Sequence, residues 1–283
     1  MPPLTITLIQ PDLRWEDKAA NLARFGAQID AISEKTHLVI LPEMFSTGFS
    51  MRPEALAEPM SGPTVAWMSQ TAARKKVILT GSLIIEEKGR YYNRLIWMLP
   101  NGQYGIYDKR HRFAYAGEHE HYTAGHKRLI ASVNGWKVNL LVCYDLRFPV
   151  WSRQQLQEPL EPSTTGLASL PPGATPGTLE PEYDLLVYVA NWPERRNHAW
   201  KTLLQARAIE NQAYVVGVNR VGKDGNNIYH SGDSMVVDPL GEVLYHAPKE
   251  ESIFTCTLQP EKLEEVRTRF PFWQDADQFT IEP

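Results

Sequence analysis

KVNLLVCYDLRFP, residues 137–149, is the stretch whose reading decides the fold. Val138, Leu140, Leu141 and Val142 make a short aliphatic run rich in β-branched residues, and a run this short reads as a buried strand rather than a helix. The run stops at Cys143, and a helix start is expected near 148–156. A cysteine between the end of a strand and a helix stands where open α/β sheets bind ligands. Backbone N–H groups at a helix start favour a thiolate and donate to an oxyanion. A buried structural cysteine would look the same in this window.

Runs of the same kind recur at 4–10 (LTITLIQ), 37–42 (HLVILP), 77–85 (VILTGSLII), 184–191 (DLLVYVAN) and 213–219 (AYVVGVN). Helical spacing lies between several of them. Asp17 to Ala31 carries Leu22, Phe25 and Ile29 on one face, and His198 to Gln212 carries Leu203, Leu204, Ala208 and Ile209. A third helix opens at Pro260, where a missing N–H does no harm, and runs to about Arg269. Alternating strand and helix predicts a layered α/β domain. Residues 91–108 and 228–258 read instead as strand–turn–strand, with turns at GKDGNN (222–227) and DPLGE (238–242), so mixed sheets are expected. Residues 157–182, rich in Pro, Gly, Ser and Thr, read as a surface insertion without a packed element.

The totals fit one large domain over 1–283, long enough to bury a sizeable core. The net charge is −4, from 29 Lys and Arg against 33 Asp and Glu, with no block of like charge. A nucleic-acid partner is therefore not expected. No apolar run approaches the roughly 18 residues of a membrane span, and MPPLTITLIQ lacks the pattern of a signal peptide. Two cysteines make no disulfide framework, so a cytoplasmic setting is expected.

Three further windows bear on chemistry. Glu43, in VILPEMFSTGF, follows an apolar strand and a proline; it reads as an ordinary loop acid or, beside a cysteine, as a general base. Lys109, in YGIYDKRHRF, also follows a strand-like run and precedes FAYAGEHEHYTAG (113–125), a loop dense in aromatics, His and Glu of the kind that faces substrates. His111, His119, His121 and His126, with Glu118 and Glu120, invite a metal reading. No HExxH or Cys-x-x-Cys supports it, and no metal or organic cofactor is expected. Cys256, inside a late strand without acid, base or turn beside it, reads as structural.

Taken in order, strand–Pro–Glu at 43, strand–Lys at 109 and strand–Cys at 143 resemble the Glu–Lys–Cys signature of the nitrilase superfamily. ARAIENQAYVVGVNRVG (206–222) and HSGDSMVVDPLGEV (230–243) extend the resemblance, which runs to about residue 279. LPEMFSTGFSM, YDKRHRF, VCYDLRFPVWSR, YVANWP and FPFWQDADQF are most similar to its bacterial omega-amidase branch. The resemblance implies a four-layer α-β-β-α sandwich, paired as a homodimer or larger assembly. It implies hydrolysis of the terminal amide of 2-oxoglutaramate and related 2-oxo acid monoamides. It also implies a second glutamate after the lysine; Glu118, seven residues before Gly125, matches the spacing better than Glu120. Where the family often has His-Trp after YVANWP, this chain has Ala199-Trp200, with His198 one place earlier.

On that resemblance Cys143 is the nucleophile, Glu43 the proton carrier, Lys109 and the Tyr144 N–H the oxyanion donors, and Glu118 the residue that holds Lys109. A substrate carboxylate needs a cation. Arg196 is the expected one, with Arg110, Arg112 and Arg147 as rivals, although Arg147 also reads as an ion pair beside Asp145. Phe113 and Trp192 are expected pocket walls. Two other readings stand beside this one: an amidase, carbamoylase or nitrilase for another small substrate, and a non-catalytic scaffold that kept the fold.

Overall fold

Leu38 and Ile40 face one apolar cluster while Val39 and Leu41 face another. That two-residue period puts the strand Leu38–Ile40 between two packed layers. Leu95 and Trp97 against Ile96 and Met98 repeat the division two strands away. The computed structural model describes residues 1–157 and 180–282.

The first sheet runs in the order Ser252–Leu258, Leu4–Gln10, Leu38–Ile40, Ile78–Glu87, Arg90–Met98, Tyr104–Asp108. Its Leu4–Gln10, Leu38–Ile40 and Ile78–Glu87 strands are parallel and the other pairings antiparallel. The second sheet runs Val221–Lys223, Tyr229–Val237, Tyr214–Val218, Leu185–Val189, Trp136–Val142, Ile130–Val133, with Val243–Pro248 paired to Tyr229–Val237. Leu185–Val189 lies parallel to both its neighbours. Both sheets are mixed, as expected.

Helices Lys18–Asp30 and Pro63–Lys75 cover the outer face of the first sheet, where Phe25, Ile29, Val65, Met68 and Ala72 pack on Val39, Leu79 and Ile96. Asp17 caps the first of them through the Ala20 N–H at 3.0 Å, so the expected start at Asp17 is its N-cap. Helix Asn197–Asn211 covers the second sheet with Trp200, Leu204 and Ala208. It packs so closely that a Cβ on Gly217 would lie 2.5 Å from Leu204 and 2.7 Å from Trp200. The inner faces of the two sheets meet in one cluster, Ile6, Leu8, Leu38, Ile40 and Trp97 with the strands around Leu140 and Val187. The result is the four-layer α-β-β-α sandwich. Because the central strands of the second sheet are covered on both sides, they read as unbroken apolar runs.

The helix Pro63–Lys75 was not expected from sequence; its apolar stripe, Val65, Met68 and Ala72, is thin. The helix expected near 148–156 is only the single turn Pro149–Ser152. The insertion 157–182 lies mostly outside the described residues; at its two ends Leu156–Gln157 pairs antiparallel with Glu180–Pro181.

Candidate active site

Four strands end at the same place. Leu38–Ile40 leads into Glu43, Tyr104–Asp108 into Lys109, Trp136–Val142 into Cys143, and Leu185–Val189 into Asn191 and Trp192. Glu43, Lys109 and Glu118 are almost completely buried. Lys109 Nζ lies 2.9 Å from Glu43 Oε1 and 3.0 and 2.9 Å from the two oxygens of Glu118. A buried ammonium or carboxylate on its own would cost several kcal/mol, and this close packing of opposite charges offsets that cost.

The carboxylates have other partners. Asn93 Nδ2 donates to Glu43 Oε1 at 2.8 Å and to Glu118 Oε1 at 3.2 Å. Ser82 Oγ donates to Asn93 Oδ1 at 2.7 Å and accepts the Met44 N–H at 2.9 Å. The Asn191 N–H donates to Glu43 Oε2 at 2.9 Å. The Phe113 N–H donates to Glu118, which ties the loop after Lys109 to the ion cluster. The carbonyl of Lys109 accepts the Gly125 N–H at 3.0 Å. A Cβ at Gly125 would sit 2.0 Å from the Asp108 carbonyl oxygen, so only glycine fits there. Asn93, Ser82 and Asn191 escaped the sequence reading.

Burial alone would lower Lys109, but attraction to Glu118 and then Glu43 overrides it and holds the ammonium well above its ordinary value. Burial raises Glu118; Lys109 opposes this and Glu43 adds to it. Burial also pushes the Cys143 thiol well above its ordinary value, Glu43 pushes it further, and Lys109 pulls against both. Burial and Glu43 thus disfavour the free thiolate at rest. Cys143 opens a short 3-10 segment, Cys143–Arg147, rather than an α-helix.

Cys143 has φ +47°, the left-handed region that non-glycine residues rarely occupy. Asp145, fully buried two residues on, accepts the Val142 N–H at 3.0 Å and braces the turn.

Cys143 forms part of the wall of a cavity of about 220 Å³. Phe113, Tyr144, Trp192 and Arg196 line it too, so the expected wall and cation meet the expected nucleophile. Arg196 lies 5.0 Å from the centre of the Phe113 ring. Arg147 and Arg195 also reach the cavity. Arg147 sits over Trp192 at 5.1 Å rather than pairing with Asp145, whose oxygens are taken by Tyr107, His111 and Val142. Arg110 lies over Trp151, and Arg112 donates to the carbonyls of His119 and Tyr122; neither lines the cavity. His230, a further wall residue, was not anticipated; burial, with Arg220 adding, lowers it to about 4. His198 is exposed outside the cavity.

A cysteine in a cavity wall, with a buried carboxylate–ammonium pair behind it, suits a hydrolase that works through a thioester. The carbon-nitrogen hydrolase family model matches residues 5–161 and 175–268, and the chain belongs to that family. The gap between the two matched segments falls inside the Pro- and Gly-rich insertion. The chain is 42% identical to the omega-amidase YafV of Escherichia coli (strain K12), over 99% of this chain and 100% of that one. It is 30% identical to the 2-oxoglutaramate amidase of Bacillus subtilis (strain 168), over 96% of each. A crystal structure of a CN-hydrolase superfamily protein from Xanthomonas campestris, with an arsenic adduct in its active site, superposes with a TM-score of 0.90 at 42% identity, covering 100% of both chains. Among the described residues no helix is long and apolar enough to cross a membrane.

Proposed function

We infer that the chain hydrolyses the terminal amide of small 2-oxo acid monoamides, such as 2-oxoglutaramate and 2-oxosuccinamate, to the dicarboxylate and ammonia. The observation that carries this reading is the Lys109 ammonium, fixed 2.9 Å from Glu43 beside a cavity that also holds the Cys143 thiol. The omega-amidase and 2-oxoglutaramate amidase relatives supply the substrate class.

In this reading Glu43 takes the proton from Cys143 as the sulfur bonds to the amide carbon. The proton moves as that bond forms, because burial and Glu43 disfavour the free thiolate. Lys109 and the Tyr144 N–H stabilise the oxyanion, a contribution of about 2.7–4 kcal/mol per donor. The carbon–nitrogen bond breaks, the protonated Glu43 delivers its proton to the departing ammonia, and a thioester remains. Glu43 then takes a proton from water as the water attacks, and the acid leaves with the thiol restored. Glu118 and Asn93 hold Lys109 and Glu43 in register. At the far end of the substrate Arg196 receives the carboxylate, while Phe113 and Trp192 enclose the carbon chain.

The wider setting belongs to the same reading: one hydrolase domain over 1–283, acting in the cytoplasm, where both free cysteines stay reduced. A second copy of the chain would cover exposed Ile209 and Leu240. Ammonia release from 2-oxoglutaramate, a small nitrile and an N-carbamoyl amino acid tests the reaction class. The amide is expected to lead by orders of magnitude, with Cys143→Ala inactive. Preference for either other substrate would end this reading.

A further inference from the structure

The Asp145 carboxylate receives four hydrogen bonds from the two segments that carry the reacting groups. Its Oδ2 accepts the Val142 N–H at 3.0 Å and the Tyr107 hydroxyl at 2.7 Å. Its Oδ1 accepts the His111 N–H at 3.0 Å and His111 Nδ1–H at 2.8 Å. Val142 immediately precedes Cys143, whereas Tyr107 and His111 flank Lys109 by two residues on either side. One fully buried carboxylate thus spans the chain break between the thiol and the ammonium.

The connection is braced on both sides. The His111 ring stacks on Phe148, which follows the Cys143 turn, at 3.8 Å and an interplanar angle of 5°. The Trp151 Nε1–H donates to the Tyr107 hydroxyl at 2.9 Å. Glu43 also meets both Lys109 and Cys143, but through the reacting groups themselves; Asp145 joins the backbone segments that carry them. The left-handed backbone at Cys143 also has to be held against its own preference, and the bond from Val142 to Asp145 does so one residue away.

We propose that His111 and Asp145 are positioning residues that set the distance between the Cys143 sulfur and the Lys109 ammonium. Neither touches the reacting atoms; His111 acts through Asp145. The proposal rests on Cys143 as the nucleophile of amide hydrolysis. Without the Nδ1 bond, the Lys109 segment and the Cys143 turn lose one of the three hydrogen bonds by which Tyr107 and His111 hold Asp145. A shift of about 1 Å between reacting groups lowers turnover by about 100-fold.

Two substitutions separate the bond from the ring. His111→Phe keeps the stack on Phe148 and removes the donor; His111→Asn loses the stack and keeps an N–H donor. Each is measured for kcat and KM on 2-oxoglutaramate, for melting temperature, and for the rate at which iodoacetamide alkylates Cys143, read by peptide mass. His111→Phe is expected to lower kcat by about 10- to 100-fold with KM little changed. It is also expected to slow alkylation at Cys143 while Cys256 is unaffected, and His111→Asn should restore most of both rates. Unchanged kcat and alkylation in His111→Phe overturns the proposal. So does a loss shared equally by the two variants, or one that follows the melting temperature. The alkylation readout needs no substrate, so a wild-type chain inactive on every amide would refute the proposed function and leave this test standing.

Discussion

Asn93 donates its side-chain amide to Glu43 at 2.8 Å, joining Lys109 and the Asn191 N–H in satisfying a carboxyl buried beyond the Leu38–Ile40 strand. The same Nδ2 reaches Glu118 at 3.2 Å, so two like charges share one neutral donor as well as one cation. Asn93→Ala leaves both short of a partner. It is expected to cost about 1–3 kcal/mol of stability and to lower kcat more than it alters KM. Urea unfolding and steady-state kinetics check both, and an unchanged unfolding midpoint would remove Asn93 from the network.

Arg196 has no carboxylate partner within salt-bridge distance among the described residues and stands over Phe113 in the cavity wall. Arg196→Ala is expected to raise KM for 2-oxoglutaramate by about 10-fold or more, as the loss of a charge-assisted bond of about 1.5–3 kcal/mol requires. A neutral amide of the same length should be almost unaffected. Equal effects on the two substrates would place the carboxylate elsewhere.

Burial and Glu43 hold the Cys143 thiol above its ordinary value of 9.0. The thiolate fraction therefore grows as pH rises and is still growing past pH 9. Alkylation of Cys143 in the absence of substrate should climb across pH 7–9 without levelling. A plateau near pH 7 would mean a resting thiolate and would reverse the order of proton transfer proposed above.

The left-handed backbone at Cys143 costs an L-residue roughly 1–2 kcal/mol. Glycine escapes that cost. Cys143→Gly and Cys143→Ala should both be inactive, but the glycine variant should melt higher. If the two melt together, the turn carries no strain.

His230 is held at about 4, against an ordinary 6.5, by burial and then by Arg220. Between those values the unfolded chain binds a proton that the folded chain refuses. The contribution to stability is complete above pH 6.5 and is lost as pH falls toward 4, about 3 kcal/mol in all. His230→Gln lacks this proton and should lose less stability between pH 7 and pH 4.5 than the wild type. Parallel losses in denaturant titrations would contradict the assignment.

The strands were legible because each is short, apolar and bounded by turn residues, and the double-sided burial of Leu185–Val189 shows in its unbroken run. Helix Pro63–Lys75 was hidden by its composition: Thr64 and Thr71 share its buried face with only a few apolar side chains. Glu43 and Lys109 stood out because each follows a strand with a charge that does not belong in a core, and Cys143 because it joined them in order. Asn93 sits inside its strand, where an inward amide and an outward one look alike in sequence. Asn191 and Ser82 share that anonymity, since their partners lie 148 and 11 positions away. The Arg147–Asp145 pairing suggested by their closeness in sequence failed because Tyr107, His111 and Val142 take the carboxylate, and Arg147 stands over Trp192 instead.

Behind Cys143 two carboxyl groups share one ammonium, while Arg147, Arg195 and Arg196 stand in the cavity wall. In the proposed reaction the amide nitrogen is uncharged when it arrives beside Glu43, whereas the acid formed there ionises and meets the neighbouring carboxylates. Turnover in this arrangement is self-clearing, and the finished dicarboxylate should be a poor competitor for the vacancy it has just left.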